Sequence, residues 1–207
     1  MEPIETGPTG KLKRRAVVRA LLRDRGGMLA IGGLGAPAWD ITAAGDVPEN
    51  LPLWGGMGGA AMMGLGLALA QPSRRVLVVT GDGEMLMGVG SLATIAVQRP
   101  RNLSVVVIDN EHYGETGMQE THTHHGVDLA GMARAAGIAD ARLIRDAAGV
   151  HALRDAIHAQ IGAGAGPIFA QIKVDEGTEP LVLPPREAAI LQARMREAIM
   201  GQAAHLQ

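Results

Sequence analysis

Residues 76–86 read VLVVTGDGEML, and this stretch decides how the fold is predicted. Five apolar or β-branched residues, typical of a buried strand, run into Gly81-Asp82-Gly83 and then into a sequence typical of a helix. The glycines allow a tight turn and a close approach of the backbone to a bulky anion. A strand that turns directly into a helix is the repeating unit of a parallel sheet.

The same alternation runs along most of the chain. Short apolar runs predict strands at 28–31, 76–80, 103–108, 142–144 and 168–174. Ala-rich patterns between them predict helices near 57–70, 84–97, 127–136 and 148–163. We therefore predict an α/β fold with an open, doubly wound, mostly parallel sheet and helices on both faces. Ligands of such sheets bind beyond the carboxyl ends of the strands, where the strand order reverses.

The two ends of the chain depart from this pattern. Residues 1–10, rich in Pro, Gly and Thr, predict a flexible lead-in. Residues 11–175 are predicted to form one domain, which opens with an amphipathic helix over 11–25. Residues 176–207 are predicted as a C-terminal extension, with a helix over 186–200 that lies either on a neighbouring molecule or in solvent.

Composition excludes several classes of function. A net charge of -2 without a basic face argues against nucleic acid as a partner. The chain has no Cys, which excludes disulfides and Cys-based zinc sites and suits a reducing cytoplasm. No apolar run approaches the roughly 20 residues of a membrane span, so a cytoplasmic protein is expected. The 11 Met and 2% aromatic residues favour adaptable interfaces with a partner.

Asp82 is predicted to share one edge of the sheet with Asn110. The strand 103–108 is followed by Asp109-Asn110, and a helix joins it to the strand before Asp82. Carboxylate and amide oxygens are suitable ligands for Mg²⁺, which a diphosphate would bridge. The alternative is that Asp82 only caps the following helix.

A longer run carries a family resemblance. Residues 81–117, GDGEMLMGVGSLATIAVQRPRNLSVVVIDNEHYGETG, resemble the sulfopyruvate and phosphonopyruvate decarboxylases that depend on thiamine diphosphate (ThDP). The similarity extends more loosely from about residue 26 to 174 and includes the glycine-rich turn 55–60. It implies the ThDP-binding fold, here as the diphosphate-binding domain.

The resemblance assigns roles to the metal and diphosphate ligands. It implies that Asp82 and Asn110 bind Mg²⁺ through their side chains and His112 through its backbone carbonyl. Gly83 and Glu84 would bind the diphosphate through their backbone amides.

Three further residues complete the cofactor site that the resemblance implies. One belongs to the diphosphate motif and two belong to the glycine-rich turn. Gly81 belongs to the diphosphate motif, and Gly55 would accept a hydrogen bond from the 4'-amino group through its carbonyl. Met57 would stand between the two rings of the cofactor, although ordinary packing at a helix start is the alternative.

The resemblance also implies a partner. The glutamate that activates the cofactor in related enzymes belongs to a pyrimidine-binding domain, and 207 residues are too few for a second domain of that size. The chain therefore resembles the β subunit of a 2-oxo acid decarboxylase. An α subunit would supply the glutamate, in a hetero-oligomer with at least two copies of each chain.

The histidines His122, His124 and His125 follow the predicted cofactor loop. We predict that His122 faces a small 2-oxo acid substrate and binds its carboxylate or moves a proton. A zinc site and a merely structural polar loop are the alternatives.

Residues 35–40, GAPAWD, depart from the Ser-Arg-Glu-like run of the relatives and lack its Arg, which favours a less anionic substrate. Trp39 and Trp54 are expected to anchor the interface with the partner, and the alternative is that they line a pocket.

Other functions stay open at this point. Residues 32–35, GGLG, follow a strand, but the spacing of a nucleotide-binding dehydrogenase motif is incomplete. A ThDP-dependent carboligase or oxidoreductase subunit would show the same motif. So would a regulatory subunit that binds the cofactor without catalysing a reaction.

Overall fold

The computed structural model describes residues 3–161 and 166–205. Its main sheet has six strands: β1 Leu29–Gly32, β2 Asn50–Pro52, β3 Val76–Gly81, β4 Leu103–Asp109, β7 Asp140–Ile144 and β8 Ile168–Lys173. A separate antiparallel pair consists of β5 His112–Tyr113 and β6 Gln119–Glu120.

The strand order of the main sheet is β2-β1-β3-β4-β8-β7, and every neighbouring pair is parallel. From β1 the chain goes to one side of the sheet, and from β3 it goes to the other. The strand order therefore reverses between β1 and β3, which is where a doubly wound sheet binds its ligand. The predicted fold class is confirmed.

Helices cover both faces of the sheet. They are α1 Arg14–Leu22, α2 Ala36–Ala43, α3 Ala60–Ala70, α4 Asp82–Met87, α5 Ser91–Gln98, α6 Leu129–Ala136, α7 Ala147–His158 and α8 Ala188–Met200. One apolar core packs α1, α2 and α7 against the sheet, and the other packs α3 to α6 and α8 against the opposite face. Within the described ranges, no helix is long and apolar enough to cross a bilayer.

The central strands explain why the sequence folds this way. All residues of β3 except Gly81, and all residues of β4 and β8, are buried. A parallel strand is covered on both faces, which requires a continuous apolar run rather than an alternating one. The register pairs Val76 with Leu103 and Gly81 with Ile108, so the strand ends that carry Asp82 and Asn110 are neighbours.

Helix α2 and strand β2 were not predicted. Helix α2 begins within the run Gly35-Ala36-Pro37, where Pro occupies a position that a first helical turn tolerates. Strand β2 has three residues and ends in Pro52, which an edge strand can accommodate. Neither element is long enough to show a clear periodicity.

The predicted helix over 84–97 is two helices. Helices α4 and α5 are separated by Gly88, Val89 and Gly90. A Cβ on Gly88 would lie 2.2 Å from the carbonyl oxygen of Gly58, so the chain turns here where two backbones touch. The prediction of one continuous helix was wrong because this contact between distant segments determines the break.

The two ends of the chain pack on the domain. Helix α1 begins at Arg14 instead of Lys11, because Leu12 bridges both Thr6 and Val174 in extended conformation. Ile4 is buried, so the segment interpreted as a lead-in contributes to the core.

Helix α8 packs on its own domain through part of its surface. It buries Leu191 and Met195, packs beside β2 and joins Arg194 to Asp46 at 2.9 Å.

Candidate cofactor site

A cavity of about 390 Å³ opens at the carboxyl ends of β1, β3 and β4, where the strand order reverses. Seven of the nine predicted site residues line it: Met57, Gly81, Asp82, Gly83, Glu84, Asn110 and His112. The residues between β1 and α2 and the β5–β6 hairpin complete the wall. The topology thus brings together residues from five separate segments.

Asp82 is the buried anion of this cavity. Its side chain Oδ2 accepts a hydrogen bond from the Thr121 hydroxyl and another, at 3.0 Å, from the Thr123 hydroxyl. The prediction that Asp82 caps the helix is not supported, because Gly81 occupies the N-cap position and no side-chain cap bond forms. Thr121 and Thr123 alternate in sequence, and both hydroxyls reach the same carboxylate oxygen.

A second buried carboxylate, Asp109, lies beside Asp82. The Thr123 hydroxyl is 3.0 Å from Asp82 Oδ2 and 2.8 Å from Asp109 Oδ1, so its single proton can be donated to either carboxylate. Asp109 also accepts a hydrogen bond from Gln171 at 2.6 Å and forms an ion pair with Lys173 at 2.8 Å. Asp109 therefore has a cation as a partner within the protein.

Asp82 has no such partner. Among the described residues, no Lys, Arg or His forms an ion pair with it, and its hydrogen-bond donors are neutral hydroxyls. Burial, and then the charge of Asp109, raise the pKa of Asp82 to about 6. A buried carboxylate beside a second carboxylate is costly unless a cation approaches it. The donor set of this chain therefore fits a bound divalent cation.

Asn110 and His112 form the adjacent turn. The Asn110 Oδ1 accepts a hydrogen bond from the His112 amide at 3.3 Å and keeps a second lone pair. The His112 ring Nδ1 lies 3.0 Å from the Asn110 carbonyl oxygen. These contacts fix the turn in which the predicted amide and carbonyl ligands lie. Glu111, between them, has a positive φ of 67°.

Two lysines hold Glu111 in this conformation. Its carboxylate accepts hydrogen bonds from Lys173 at 2.7 Å and from Lys11 at 3.1 Å. Partial burial opposes ionisation, but the hydrogen bonds from Lys173 and Lys11 outweigh it and lower the pKa of Glu111 to about 2. Lys173 thus ties Glu111 to Asp109 and stiffens the end of β4.

The Glu84 side chain is buried and connects the end of β3 to the segment that follows β1. Its Oε2 accepts hydrogen bonds from the Thr80 hydroxyl at 2.9 Å and from the Leu34 amide at 3.1 Å. Its Oε1 is buried with no hydrogen-bond partner among the described residues. Burial raises the pKa of Glu84, while the bonds from Thr80 and Leu34 lower it. The sequence assigned a role only to the backbone amide of Glu84.

Gly83 lets the hairpin close over the motif. A Cβ on Gly83 would lie 2.2 Å from the Tyr113 ring, so any other residue would displace that ring. Tyr113 lies on β5, and it therefore covers the turn between β3 and α4.

Met57 lines the cavity with 40% of its surface exposed. This position is compatible with contact with a cofactor, and the predicted role between the rings stays a prediction. Gly55 is exposed and lies outside the cavity wall. Trp54, next to it, donates a hydrogen bond to the Pro185 carbonyl at 2.8 Å and so holds the C-terminal extension.

The histidine cluster forms no metal site. In the described part of the chain, no group of three His, Cys, Asp or Glu side chains could hold a metal ion. His124 and His125 are each 3.3 Å from a carboxylate oxygen of Glu120, and neither residue lines the cavity. His122 is exposed and does not line the cavity, and its role in catalysis stays a prediction.

Comparisons with known proteins agree with this geometry. The family model "Thiamine pyrophosphate enzyme, C-terminal TPP binding domain" matches residues 41–172. The β subunit of sulfopyruvate decarboxylase from Methanothermobacter thermautotrophicus is 35% identical over 84% of this chain and 88% of that subunit. Phosphonopyruvate decarboxylase from Streptomyces viridochromogenes is 38% identical over 64% of this chain and 32% of that protein.

A solved structure shows the same fold. Benzoylformate decarboxylase from Polynucleobacter necessarius superposes with a TM-score of 0.67 at 18% identity, over 87% of this chain and 36% of that one.

The parallel sheet, with its reversal point and the cavity at that point, defines a doubly wound α/β domain. The chain belongs to the thiamine pyrophosphate enzymes, in the family of ThDP-dependent decarboxylase subunits that includes the sulfopyruvate decarboxylase β subunits. The predicted family resemblance is confirmed.

Several residues of the site were missed by sequence reasoning. Thr121 and Thr123 bind Asp82, and Gln171 and Lys173 bind Asp109. Residues 122–126 form a turn, so no regular periodicity in the sequence marks Thr121 and Thr123. Arg14 also lines the cavity, although α1 lies far from the motif in sequence.

Proposed function

We propose that this chain is the cofactor-binding β subunit of a ThDP- and Mg²⁺-dependent enzyme that decarboxylates a 2-oxo acid. The observation that carries the proposal is Asp82, a buried carboxylate with no cationic partner among the described residues, placed in the cavity at the reversal point of the sheet. Membership in the ThDP-dependent decarboxylase family identifies ThDP as the cofactor.

Asp82 and Asn110 would hold Mg²⁺ through their side-chain oxygens, with the backbone carbonyl of His112 as the third protein ligand. The hydroxyls of Thr121 and Thr123 orient the Asp82 carboxylate, so its free lone pairs are directed before the metal arrives. The backbone amides of Gly83 and Glu84 would bind the diphosphate. Bound ThDP supplies a carbon nucleophile and an electron sink for the loss of carbon dioxide.

Other residues of the chain would shield the reacting end of the cofactor. Tyr113 and the hairpin cover the turn at Gly83 on one side of the cavity, and Met57 forms an apolar wall. Met57 would set the shape of the bound cofactor by lying between its rings. The carbonyl of Gly55 would accept a hydrogen bond from the amino group of the pyrimidine.

The activating glutamate would come from a partner. The relatives named as β subunits imply a second subunit, and we propose that it is a pyrimidine-binding α subunit in a hetero-oligomer with at least two copies of each chain. Large exposed apolar side chains next to the cavity are suited to such a contact. They include Trp54, Met57, Met62, Met63 and Met87, each at least 40% exposed.

The first test is titration calorimetry of ThDP with Mg²⁺. The chain would be titrated alone and after co-expression with the product of a neighbouring gene for a pyrimidine-binding domain. Mg²⁺-dependent binding in the complex, with carbon dioxide released from a 2-oxo acid, supports the proposal. Absence of binding in both forms would overturn it.

Product analysis of the same complex distinguishes the alternatives. A new carbon–carbon bond would indicate a carboligase, and reduction of an added electron acceptor would indicate an oxidoreductase. Cofactor binding without turnover of any 2-oxo acid would favour a regulatory subunit.

A further inference from the structure

Arg14 brings a positive charge into the cavity from an element that sequence reasoning left out of the site. It is the first residue of α1, and its side chain is 8% exposed and lines the cavity. It donates hydrogen bonds to the Asp40 carboxylate on α2 and, at 3.4 Å, to the carbonyl of Ala36. The start of α1 is thereby joined to the segment that follows β1.

Two arginines share one carboxylate at this point. Arg15 also binds Asp40, through Nε at 3.0 Å, and donates from Nη2 to the Pro180 carbonyl at 2.7 Å. Both arginine side chains are at most 10% exposed. Two guanidinium groups and one carboxylate leave an excess of one buried positive charge. Such an excess is costly unless an anion lies nearby.

Arg14 and Arg15 differ in which of their guanidinium nitrogen atoms can still donate a hydrogen bond to a ligand. Both bonds that Arg14 donates within the described residues leave from Nη1, so its Nε and Nη2 are not engaged there. Arg15 uses Nε and Nη2, and it does not line the cavity. The excess charge is therefore presented to the cavity by Arg14.

The other ionisable residues that line the cavity carry no permanent positive charge. Asp82, Glu84 and Glu115 are acids, and His112 and Tyr113 are not permanently charged. Of the described lining residues, Arg14 is thus the one with a permanent positive charge. Glu115 forms no ion pair with Arg14 within 4.0 Å in the described chain.

We propose that Arg14 binds an oxyanion of the ligand in the cavity, either the diphosphate of the cofactor or an acidic group of the substrate. That the oxyanion belongs to ThDP or to a 2-oxo acid substrate rests on the proposed function. A guanidinium group with free Nε and Nη2 donors can bind an oxyanion through two parallel hydrogen bonds. Residues 35–40 lack the Arg of the relatives, and Arg14 would supply a positive charge in its place. The missing Arg is then no longer a reason to expect a less anionic substrate.

The test compares Arg14→Met with Arg15→Met in the co-expressed complex. Both substitutions remove a hydrogen bond to Asp40, so they are matched in their effect on that carboxylate. The measurements are the Kd of inorganic diphosphate with Mg²⁺, the Kd of ThDP with Mg²⁺, and KM for sulfopyruvate and pyruvate. Thermal unfolding of each variant checks that it is folded.

If Arg14→Met raises both Kd values about tenfold or more while Arg15→Met changes them less than about threefold, Arg14 binds the diphosphate. If the Kd values are unchanged and KM rises about tenfold in Arg14→Met alone, Arg14 binds the substrate. Arg14→Lys keeps the charge and should recover part of either loss. Equal effects of the two Met variants on every parameter would overturn the inference.

The proposed function and this inference fail in different ways. If wild-type complex binds diphosphate in a manner that depends on Arg14 but does not bind ThDP, the proposed function is wrong and the inference stands. If ThDP binds and Arg14→Met behaves like Arg15→Met, the inference about Arg14 is wrong and the proposed function stands. Should Arg14→Met not fold, Arg14→Gln against Arg15→Gln removes the same charges with polar side chains and gives the same comparison.

Discussion

At the scale of single residues, the site depends on two buried carboxylates with different surroundings. Lys173 neutralises Asp109 at 2.8 Å, whereas Asp82 receives bonds from hydroxyl groups alone. The Thr123 hydroxyl lies within hydrogen-bond distance of both carboxylates. Asp109 is therefore a structural anion with a cation as its partner, whereas Asp82 is available to bind a cation.

Replacing Asp82 and Asp109 by Asn should have opposite effects on stability. Asp82→Asn removes an uncompensated buried charge and should raise the free energy of unfolding without ligand, on the order of 1 kcal/mol. It should also abolish Mg²⁺-dependent ThDP binding. Asp109→Asn removes one of the two carboxylate partners of Lys173, which keeps Glu111 at 2.7 Å, and should lower stability by roughly 1–2 kcal/mol. Urea unfolding of both variants measures this, and a destabilised Asp82→Asn with normal ThDP affinity would contradict the assignment.

Met57 gives a second test at this scale. Met57→Ala should lower turnover at least about tenfold, ~1.4 kcal/mol of activation free energy, because the cofactor loses the side chain that holds its shape. The affinity for ThDP should change less. Met132→Ala is the control, since Met132 has a similar exposure of 39% on α6, outside the cavity wall. Wild-type turnover in Met57→Ala would mean that Met57 only packs.

The sequence was sufficient for those site residues that follow directly from strand ends. Asp82 and Asn110 could be placed together because parallel strands of known pattern bring their carboxyl ends to one edge. Thr121, Thr123 and Arg14 could not, because their positions depend on the paths of a loop and of α1. Local pattern carries no information about such contacts between distant segments.

At the scale of elements, the break between α4 and α5 shapes the cavity wall. Gly88 lies against Gly58, which has a φ of +90° and directly follows Met57. This contact positions the turn before α3 against the end of α4. The orientation of Met57 therefore depends on two glycines that bind no ligand.

Gly88→Ala should disturb that contact. Its Cβ would lie 2.2 Å from the carbonyl oxygen of Gly58, and overpacking of this kind costs about 1–3 kcal/mol. The thermal midpoint should fall by ~2–4 °C for each kcal/mol lost. Gly90→Ala is the matched control, because a Cβ there meets nothing within 4 Å. Equal midpoints for the two variants in a calorimetric scan would show that the contact does not hold the turn.

The strands and helices of the sheet differ in how far the sequence predicts them. β3, β4 and β8 were predicted within one residue, because long buried apolar runs have few other interpretations. α2 and β2 were missed, since Gly, Pro and short length conceal their patterns. These two elements adjoin the reversal point, where the chain departs most from regular periodicity.

At the scale of the whole molecule, the apolar surface beside the cavity predicts where a partner binds. Met62 and Met63 lie on α3 and are 42% and 44% exposed. Met62→Glu, combined with Met63→Glu, should abolish co-purification with a pyrimidine-binding subunit, because a charge buried in an apolar interface is not solvated. Met132→Glu on α6 should have no effect. Unchanged co-purification of the double variant would place the interface elsewhere.

The first and last strand-like segments of the domain meet. Leu12 bridges Val174, its carbonyl accepts a hydrogen bond from the Asp175 amide at 2.8 Å, and Thr9 bonds to Asp175 at 2.5 Å. A domain whose two boundaries touch can be joined to another at either side without rearranging its sheet. The same unit can thus be inherited as a separate gene product or as one segment of a longer polypeptide. Relatives of both kinds exist, since this chain aligns with 88% of one protein and 32% of another.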